Sequence, residues 1–170
     1  MEMATTSFKF EYEGFVETND LFRQIQKDFG NKDAQNIMRN AVRKSMKPVL
    51  SASKNLAEKD TGAMAASLQL ETRIPSKKDL RSKYVERTDV VIGLVTTASG
   101  KKLAKRKFKN LKTGEKESFN TISKQYYGKE VISTDQRVAA NEFGTANKPS
   151  KPFLRPALEV SAGVVADSLS

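Results

Sequence analysis

Few residues in this sequence could carry out catalysis. Its 170 residues include no Cys, His or Trp. Cysteine nucleophiles, Ser-His-Asp triads, imidazole acid–base catalysis and the common tetrahedral zinc sites are therefore excluded. An enzyme built from this sequence would have to rely on the carboxylates of Asp and Glu.

One carboxylate lies in a pattern that occurs in enzymes. Asp60-Thr61-Gly62 is the triplet that carries the catalytic acid in aspartic proteases, where two carboxyl groups share one proton. That triplet is expected to follow an apolar strand, but here it follows Asn55–Lys59, which has the pattern of a helix end. We therefore favour a glycine-containing turn, with Asp60 in solvent, over a protease site.

Other patterns that accompany catalysis are missing. The glycines at 62, 93, 100, 114 and 128 are isolated, so they do not form a phosphate-binding loop. The acidic residues lie among lysines with no recurring spacing, which does not favour a magnesium-dependent nuclease. We expect no enzymatic activity and no cofactor.

The positive charge is concentrated in one segment. Residues 100–130 contain ten cations and three anions and so carry +7 of the net +10. Phe108, Phe119, Tyr126 and Tyr127 lie between the cations, a mixture compatible with phosphate neutralisation and base stacking. A solvated or edge-guarding face is the alternative interpretation. The candidate contacts to DNA or to another subunit are Lys101, Lys102, Lys105, Arg106, Lys107, Lys109 and Lys112.

The same segment has the pattern of a β-hairpin. Leu103–Leu111 and Glu117–Ile122 alternate around the turn Lys112-Thr113-Gly114-Glu115. We therefore expect residues 100–130 to form a basic arm that projects from a single domain spanning residues 1–170.

Four segments are predicted as strands of one mostly antiparallel sheet. Phe8–Phe15 alternates aromatic and polar residues, which is typical of a strand with one buried face. Ser67–Ile74 is rich in strand-forming residues, and Val90–Thr96 is apolar enough to be a central strand covered on both faces. A further strand is expected near Val138–Phe143. Together with the helices, these strands predict an α+β fold.

Three segments are predicted as helices. A short helix is expected after Asn19 or Asp20 and should end at Gly30. Apolar residues at spacings of three and four predict a long helix over Asp33–Ala57, including Ile37 and Leu56 in its buried stripe and kinked at Pro48. A terminal helix is expected over 157–169, so the sheet should pack against the long helix and the terminal helix.

The most informative stretch lies before that terminal helix. Glu142-Phe143-Gly144-Thr145 is followed by Lys151–Glu159, which contains Pro152 and Pro156. The glycine permits a sharp turn, and the prolines rigidify the loop and open the helix. Glu142 and Arg155 flank this loop, and we expect them to pair within one chain or between subunits.

These motifs resemble a known family. Glu-Phe-Gly-Thr followed by Pro-Phe-Leu-Arg-Pro, with Thr61–Leu68 far upstream, is similar to the tail-completion (minor tail, neck, head–tail joining) family of long-tailed bacteriophages. Three features depart from that family's pattern: Met64 stands in place of Leu, Asn141 in place of an apolar residue, and the 100–130 insertion is longer. The matching residues are Thr61, Gly62, Ser67, Glu142, Phe143, Gly144, Thr145, Pro152, Phe153, Leu154, Arg155 and Pro156.

The resemblance implies a structural virion protein without catalytic activity. It implies a fold related to tail-tube and tail-terminator proteins, a homo-oligomeric ring that is often sixfold, and a place at the head–tail junction of a virion assembled in the host cytoplasm. The implied partners are the tail tube or terminator and the head–tail connector. The alternatives are a tail terminator, which shares the fold, and a basic nucleic-acid-binding protein. The sequence has no apolar stretch near the ~18 residues of a membrane span, so no membrane partner is expected.

Overall fold

The computed structural model describes residues 15–82, 85–121 and 134–168. Four helices precede the first strand and two helices follow the last, and this segregation of helices from strands is typical of an α+β fold. The helices are α1 Phe15–Phe29, α2 Asn31–Ser45, α3 Lys47–Leu56, α4 Ala63–Ser67, α5 Gly100–Ala104, α6 Thr134–Phe143 and α7 Leu154–Asp167, with a short 3-10 helix at Asp79–Arg81. The strands are β1 Leu68–Arg73, β2 Ile92–Thr97, β3 Lys107–Lys109 and β4 Lys116–Ser118.

Helices α2 and α3 form the predicted bent helix. They are joined at Met46, whose backbone keeps near-helical angles (φ −81°, ψ −2°). The Met46 amide donates to the Val42 carbonyl (3.0 Å), and the Leu50 amide donates to the Met46 carbonyl (3.2 Å). Pro48 lies in the first turn of α3, where its missing N–H donor costs least. The prediction of a long helix that restarts at Pro48 is confirmed.

Helices α3 and α7 pack closely because small residues lie between them. Val49 and Ser53 on α3 are buried, as are Ala157 and Ser161 on α7. The Ser53 hydroxyl donates to the Val49 carbonyl at 2.7 Å, so burying it leaves no donor unsatisfied. The predicted terminal helix is confirmed, but it begins at Leu154, three residues earlier than expected.

The buried stripe of the bent helix differs from the predicted one. Ile37 and Leu56 were expected to be buried, but they are 43% and 51% exposed. The hydroxyls of Ser45 and Ser53 bond back to their own helix and so allow these polar residues to occupy buried positions. Ala34, Val49 and Ser53 of the predicted stripe are buried, so the prediction is right for the centre of this face and wrong for Ile37 and Leu56.

The strands form two separate antiparallel pairs. Strand β1 pairs with β2 in a register that opposes Leu68 to Thr97 and Arg73 to Ile92. Strand β3 pairs with β4, with Lys109 opposite Lys116. The predicted strands at Ser67–Ile74 and Val90–Thr96 are thus confirmed, but among the described residues β2 pairs with β1 alone, and its side chains are mostly half-buried. The predicted strand over residues 8–14 lies outside the described residues.

Two predicted strand segments are helical. Phe15 opens α1, which therefore begins before Asn19. The segment 138–143 belongs to α6 and is not a strand. A short apolar run does not distinguish a strand from a helix, and here the side chains of Val138, Asn141 and Glu142 face inward at the i, i+3, i+4 spacing of a helix.

The basic hairpin is docked on the domain and does not project from it. The rings of Phe108 and Phe119 lie 4.7 Å apart and join the buried cluster that includes Ala63, Ala98 and Leu103. The first predicted strand is shortened because residues 100–104 form α5. The predicted turn over 112–115 is confirmed, and Gly114 adopts a positive φ of 75° there. The prediction of a projecting arm is wrong because its aromatic residues belong to the core.

A substitution at Gly93 would test how closely α2 packs against the β1–β2 sheet. A Cβ atom at this position would lie 2.8 Å from Val42 Cγ1 and 3.1 Å from Met46 Cγ. We expect Gly93→Ala to lower the free energy of unfolding by about 1–3 kcal/mol through overpacking. Gly163→Ala is the control, because a Cβ there meets no atom within 4 Å and helix propensity should raise stability by up to about 1 kcal/mol. Urea denaturation measures both, and equal effects would contradict the close packing.

Candidate functional site

The two parts of the downstream motif, 142–145 and 151–159, meet around the carboxylate of Glu142. This carboxylate accepts hydrogen bonds from the backbone amides of Phe153 (2.9 Å), Leu154 (3.0 Å) and Arg155 (3.3 Å). These amides open helix α7, where no carbonyl of the preceding turn is available to them. Glu142 lies near the end of α6, so its side chain caps one helix from another. The cap fixes how α6 and α7 are placed relative to each other.

The predicted pair between Glu142 and Arg155 is confirmed within one chain. Arg155 Nε donates to Glu142 Oε1 at 2.9 Å, and Arg155 Nη2 donates to the Glu142 carbonyl at 3.1 Å. The Glu142 side chain is 4% exposed, whereas the Arg155 side chain is 62% exposed. The guanidinium carbon also lies 5.5 Å from the centre of the Phe143 ring, which itself is 74% exposed. Arg155 therefore connects the buried cap with the surface.

Glu142 remains ionised although it is buried. Burial by itself would raise the pKa of this carboxyl group. The backbone amides of Leu154 and Phe153 and the Arg155 guanidinium outweigh burial, so the pKa lies below its ordinary value. A charged acid at the positive end of helix α7 is also favoured by the helix dipole.

The upstream motif block forms the turn between α3 and α4. Gly62 has φ +81°, the left-handed conformation expected of a glycine-containing turn. The Thr61 carbonyl accepts the Leu111 amide at 3.1 Å, so this turn anchors the basic hairpin. Asp60 forms an ion pair with Lys112 at the same place. Ser67 is buried, and its hydroxyl donates to the Met64 carbonyl of the same helix at 2.6 Å.

A polar cluster links Glu58, which follows α3, to the end of α6 and the loop after it, above a cleft of about 280 Å³. Glu58 accepts bonds from Lys148 Nζ (3.0 Å) and Lys151 Nζ (3.2 Å). Asn141 Nδ2 donates to Glu58 at 3.3 Å, and Asn141 Oδ1 accepts from Lys148 at 2.9 Å. The hydrogen bonds from Lys148 and Lys151 lower the pKa of Glu58. No local sequence pattern marks Glu58 as a member of this cluster, because its partners lie more than eighty residues away.

Asn141 has a physical role where the family's pattern has an apolar residue. Its amide reaches Glu58 and also lies 3.2 Å from Met64 Sδ, at the other departure from that pattern. The residue is 6% exposed. Asn141 and Met64 are therefore in direct contact.

The remaining motif residues build the connection from α6 to α7. Gly144 has φ +80°, and a Cβ there would lie 2.9 Å from the Ser150 backbone nitrogen. Thr145 bridges to Lys148, Leu154 is half-buried, Pro152 is exposed, and Pro156 lies within the first turn of α7. Phe153 is 1% exposed and packs with Ala57 and Leu68. These residues shape and anchor the loop.

The predicted basic contact residues do not all lie on one surface. Lys101, Lys102 and Lys105 are exposed on and after α5, and Arg106 Nη2 donates to Gln69 Oε1 at 3.1 Å. Lys112 pairs with Asp60. Lys107 and Lys109 lie on the outward face of the hairpin, because Phe108 between them points into the core. Lys116, which the sequence did not single out, lies opposite Lys109 on that face.

The described residues contain no group of three or more acidic, His or Cys side chains that could hold a metal ion. Across the same residues, no helix is both long and apolar enough to cross a membrane. Searches against family models, curated proteins and solved structures returned no match to this chain. The hydrogen bonds of this site hold helices and loops together.

The cap predicts a strong effect of Glu142→Gln. The amide can accept from two backbone donors at most and loses the charge that Arg155 faces, so we expect the free energy of unfolding at pH 7 to fall by about 2–4 kcal/mol. Glu159→Gln, an exposed acid on α7, is the control and should change stability by less than about 0.5 kcal/mol. Urea denaturation compares them, and equal stability of both variants would contradict the cap.

The lowered pKa of Glu142 predicts how the stability difference between the wild type and Glu142→Gln depends on pH. A group whose folded pKa lies below its unfolded value stabilises the fold above the unfolded pKa, about 4.3 for Glu, and loses this contribution as pH falls through the folded pKa. The stability difference between the wild type and Glu142→Gln should therefore be constant from pH 7 to about 5 and shrink at lower pH. A stability difference that grows on acidification would show that the pKa of Glu142 is raised in the folded state.

Reversing the charges of both Glu142 and Arg155 is expected not to restore stability, although the two side chains do form an ion pair. In the double variant Glu142→Arg with Arg155→Glu, a guanidinium would face three backbone amides that need an acceptor. We expect the double variant to unfold at least as easily as Glu142→Arg alone, as measured by thermal denaturation. Recovery to wild-type stability would mean that the Arg155 pair, and not the amide cap, dominates.

Proposed function

We propose that this protein is a structural subunit at the head–tail junction of a tailed bacteriophage, where it completes the tail or joins it to the head. One observation carries this proposal. The two sequence blocks that resemble the phage family, 61–68 and 142–158, pack together: Leu68 and Phe153 belong to one buried cluster, against which Met64 and Leu154 pack. The residues behind the resemblance thus behave as one structural unit, as expected if they were retained together.

Assembly into a ring requires two different surfaces that fit each other. The described residues offer two distinct candidates. One is the basic outward face of the hairpin, with Lys107, Lys109 and Lys116. The other is the exposed apolar side of α7, where Val160 and Val164 are 78% and 55% exposed. We propose a homo-oligomeric ring, sixfold by the resemblance, whose partners are the tail tube or terminator and the head–tail connector.

The test is an early stop codon in this gene within the phage genome that carries it, followed by electron microscopy of lysates. Filled heads beside separate tails of normal length support the proposal. Over-long tails would instead assign the chain to the tail terminators. Intact infectious particles, or a gene located outside any phage or prophage region, would overturn a role in virion assembly. A suppressor host that restores the full chain is the control.

A basic nucleic-acid-binding role is the second candidate, and one observation favours it. Lys109 and Lys116 lie directly opposite each other across β3 and β4, a like-charge arrangement that destabilises an isolated hairpin. Among the described residues, no acidic side chain forms an ion pair with Lys107, Lys109 or Lys116. A polyanion such as the DNA that passes through a head–tail channel would neutralise all three.

Salt dependence of DNA binding tests this second candidate. Substituting Lys107, Lys109 and Lys116 by Gln should make the slope of log affinity against log salt shallower by about 0.9 for each phosphate that the variant no longer neutralises, or about 2.7 in total. Substituting Lys44, Lys47 and Lys54 by Gln removes equal charge from exposed positions on the bent helix and is the control. Equal slopes for the two variants would locate DNA binding elsewhere or exclude it.

A further inference from the structure

The outer edge of β2 carries backbone groups that no described residue pairs. The Ala98 amide donates to the Ser67 carbonyl at 2.9 Å, and this bond fixes the phase of the β1–β2 ladder. Alternate residues of β2 therefore bond to β1, while Gly93, Val95 and Thr97 direct their N–H and C=O groups to the opposite side. Among the described residues, no backbone hydrogen bond reaches them from that side.

An apolar groove of about 340 Å³ runs beside this open edge. Side chains of β2, α6 and α7 line it, including Val95, Val138 and Leu154. Thr97 also lines the groove and is 9% exposed, but its Oγ1 atom has no hydrogen-bond partner among the described residues. Phe143 stands at the groove with 74% of its surface exposed. A buried hydroxyl without a partner and an exposed aromatic ring both indicate that something covers this groove.

The sequence of β2 is not that of an edge strand. Open edges of natural sheets are usually protected by a charged residue, a proline or a bulge, because unprotected edges pair with other chains. Ile92–Thr97 contains no charge and no proline, and its pairing with β1 is regular along all six residues. Such a strand is typical of a sheet interior.

One segment of the chain has the complementary pattern. Residues 7–13 alternate Phe8, Phe10 and Tyr12 with charged residues, so an extended backbone would place all three rings on one side. Seven extended residues span about 23 Å, which is enough to run the length of a six-residue strand. We propose that residues 7–13 pair with the outer edge of β2 as a third strand and place their aromatic side in the groove.

The segment is assigned to the same chain. Residues 1–14 are joined directly to α1, and a tethered segment has an effective concentration near the millimolar range if its linker can span the distance. In free solution, a copy from another molecule would not reach that concentration. This strand would make β2 an interior strand, which agrees with its apolar composition and with its absence of edge protection. The inference does not depend on the phage assignment.

Hydrogen exchange of individual amides tests the proposal in the full-length chain. In the wild type, the amides of Gly93, Val95 and Thr97 should be protected, as should the β1-bonded amides of Leu94 and Thr96. In the variant Phe8→Ser, Phe10→Ser and Tyr12→Ser, the first three should exchange at least about tenfold faster while Leu94 and Thr96 keep their protection. The control variant, Lys9→Ser, Glu11→Ser and Glu13→Ser, changes the other side and should leave all five amides protected.

Several outcomes would overturn the proposal. Fast exchange of Gly93, Val95 and Thr97 in the wild type would show that the edge is open. Retained protection in the aromatic variant would show that another segment covers it. Protection that appears only at concentrations where the chain self-associates would assign the strand to a neighbouring copy. Loss of protection at Leu94 and Thr96 as well would show that the aromatic residues support the whole fold and not this edge alone, which equally contradicts the proposal.

Discussion

The arrangement of the second half of the chain depends on a buried carboxylate with four hydrogen-bond donors. Glu142 accepts hydrogen bonds from the backbone amides of Phe153, Leu154 and Arg155, where α7 begins, and from the Arg155 side chain. Without this acceptor, a helix N-terminus would be buried with unsatisfied donors, which a folded protein avoids. Because the cap lies on α6, it also fixes where Phe153 enters the core beside Ala57 and Leu68. The turn at Gly144 and the two prolines bring the chain back to that position.

The cap also explains why the motif residues are of these types. Gly144 allows the left-handed turn, and the close approach of the Ser150 backbone leaves no room for a side chain. Asn141 precedes the capping residue and accepts the bond from Lys148, while its own backbone carbonyl accepts the Lys151 amide at 2.7 Å. Each of these residues serves the connection between α6 and α7. The pattern is therefore that of a structural joint, and any function it supports acts through the surfaces that the joint holds in place.

The sequence predicted the elements well and their partners poorly. Periodicity and turn residues located the bent helix, strands β1 and β2, the hairpin turn and the Glu142–Arg155 pair, because each of these leaves a local signal. The docking of the hairpin leaves none, since Phe108 and Phe119 pack in one cluster with Ala63, which lies more than forty residues before them in the sequence. The segment 138–143 was predicted as a strand for a related reason: besides Val138, its inward positions are Asn141 and Glu142, and their burial depends on hydrogen-bond partners that no local pattern reveals. The polar cluster at Glu58 was missed for the same reason.

The distribution of acidic residues determines what kind of partner the basic surface can accept. Many carboxylates in the described part of the chain have internal partners: Glu142 caps α7, Glu58 binds two lysines, Asp79 binds Arg73, and Asp60 pairs with Lys112. The positive excess therefore remains on exposed side chains, above all on the outward face of the hairpin. The hairpin can carry this charge because its stability comes from the aromatic pair on its inner face and from the bond between Leu111 and Thr61. The positive charge of this face is therefore not needed to hold the hairpin together.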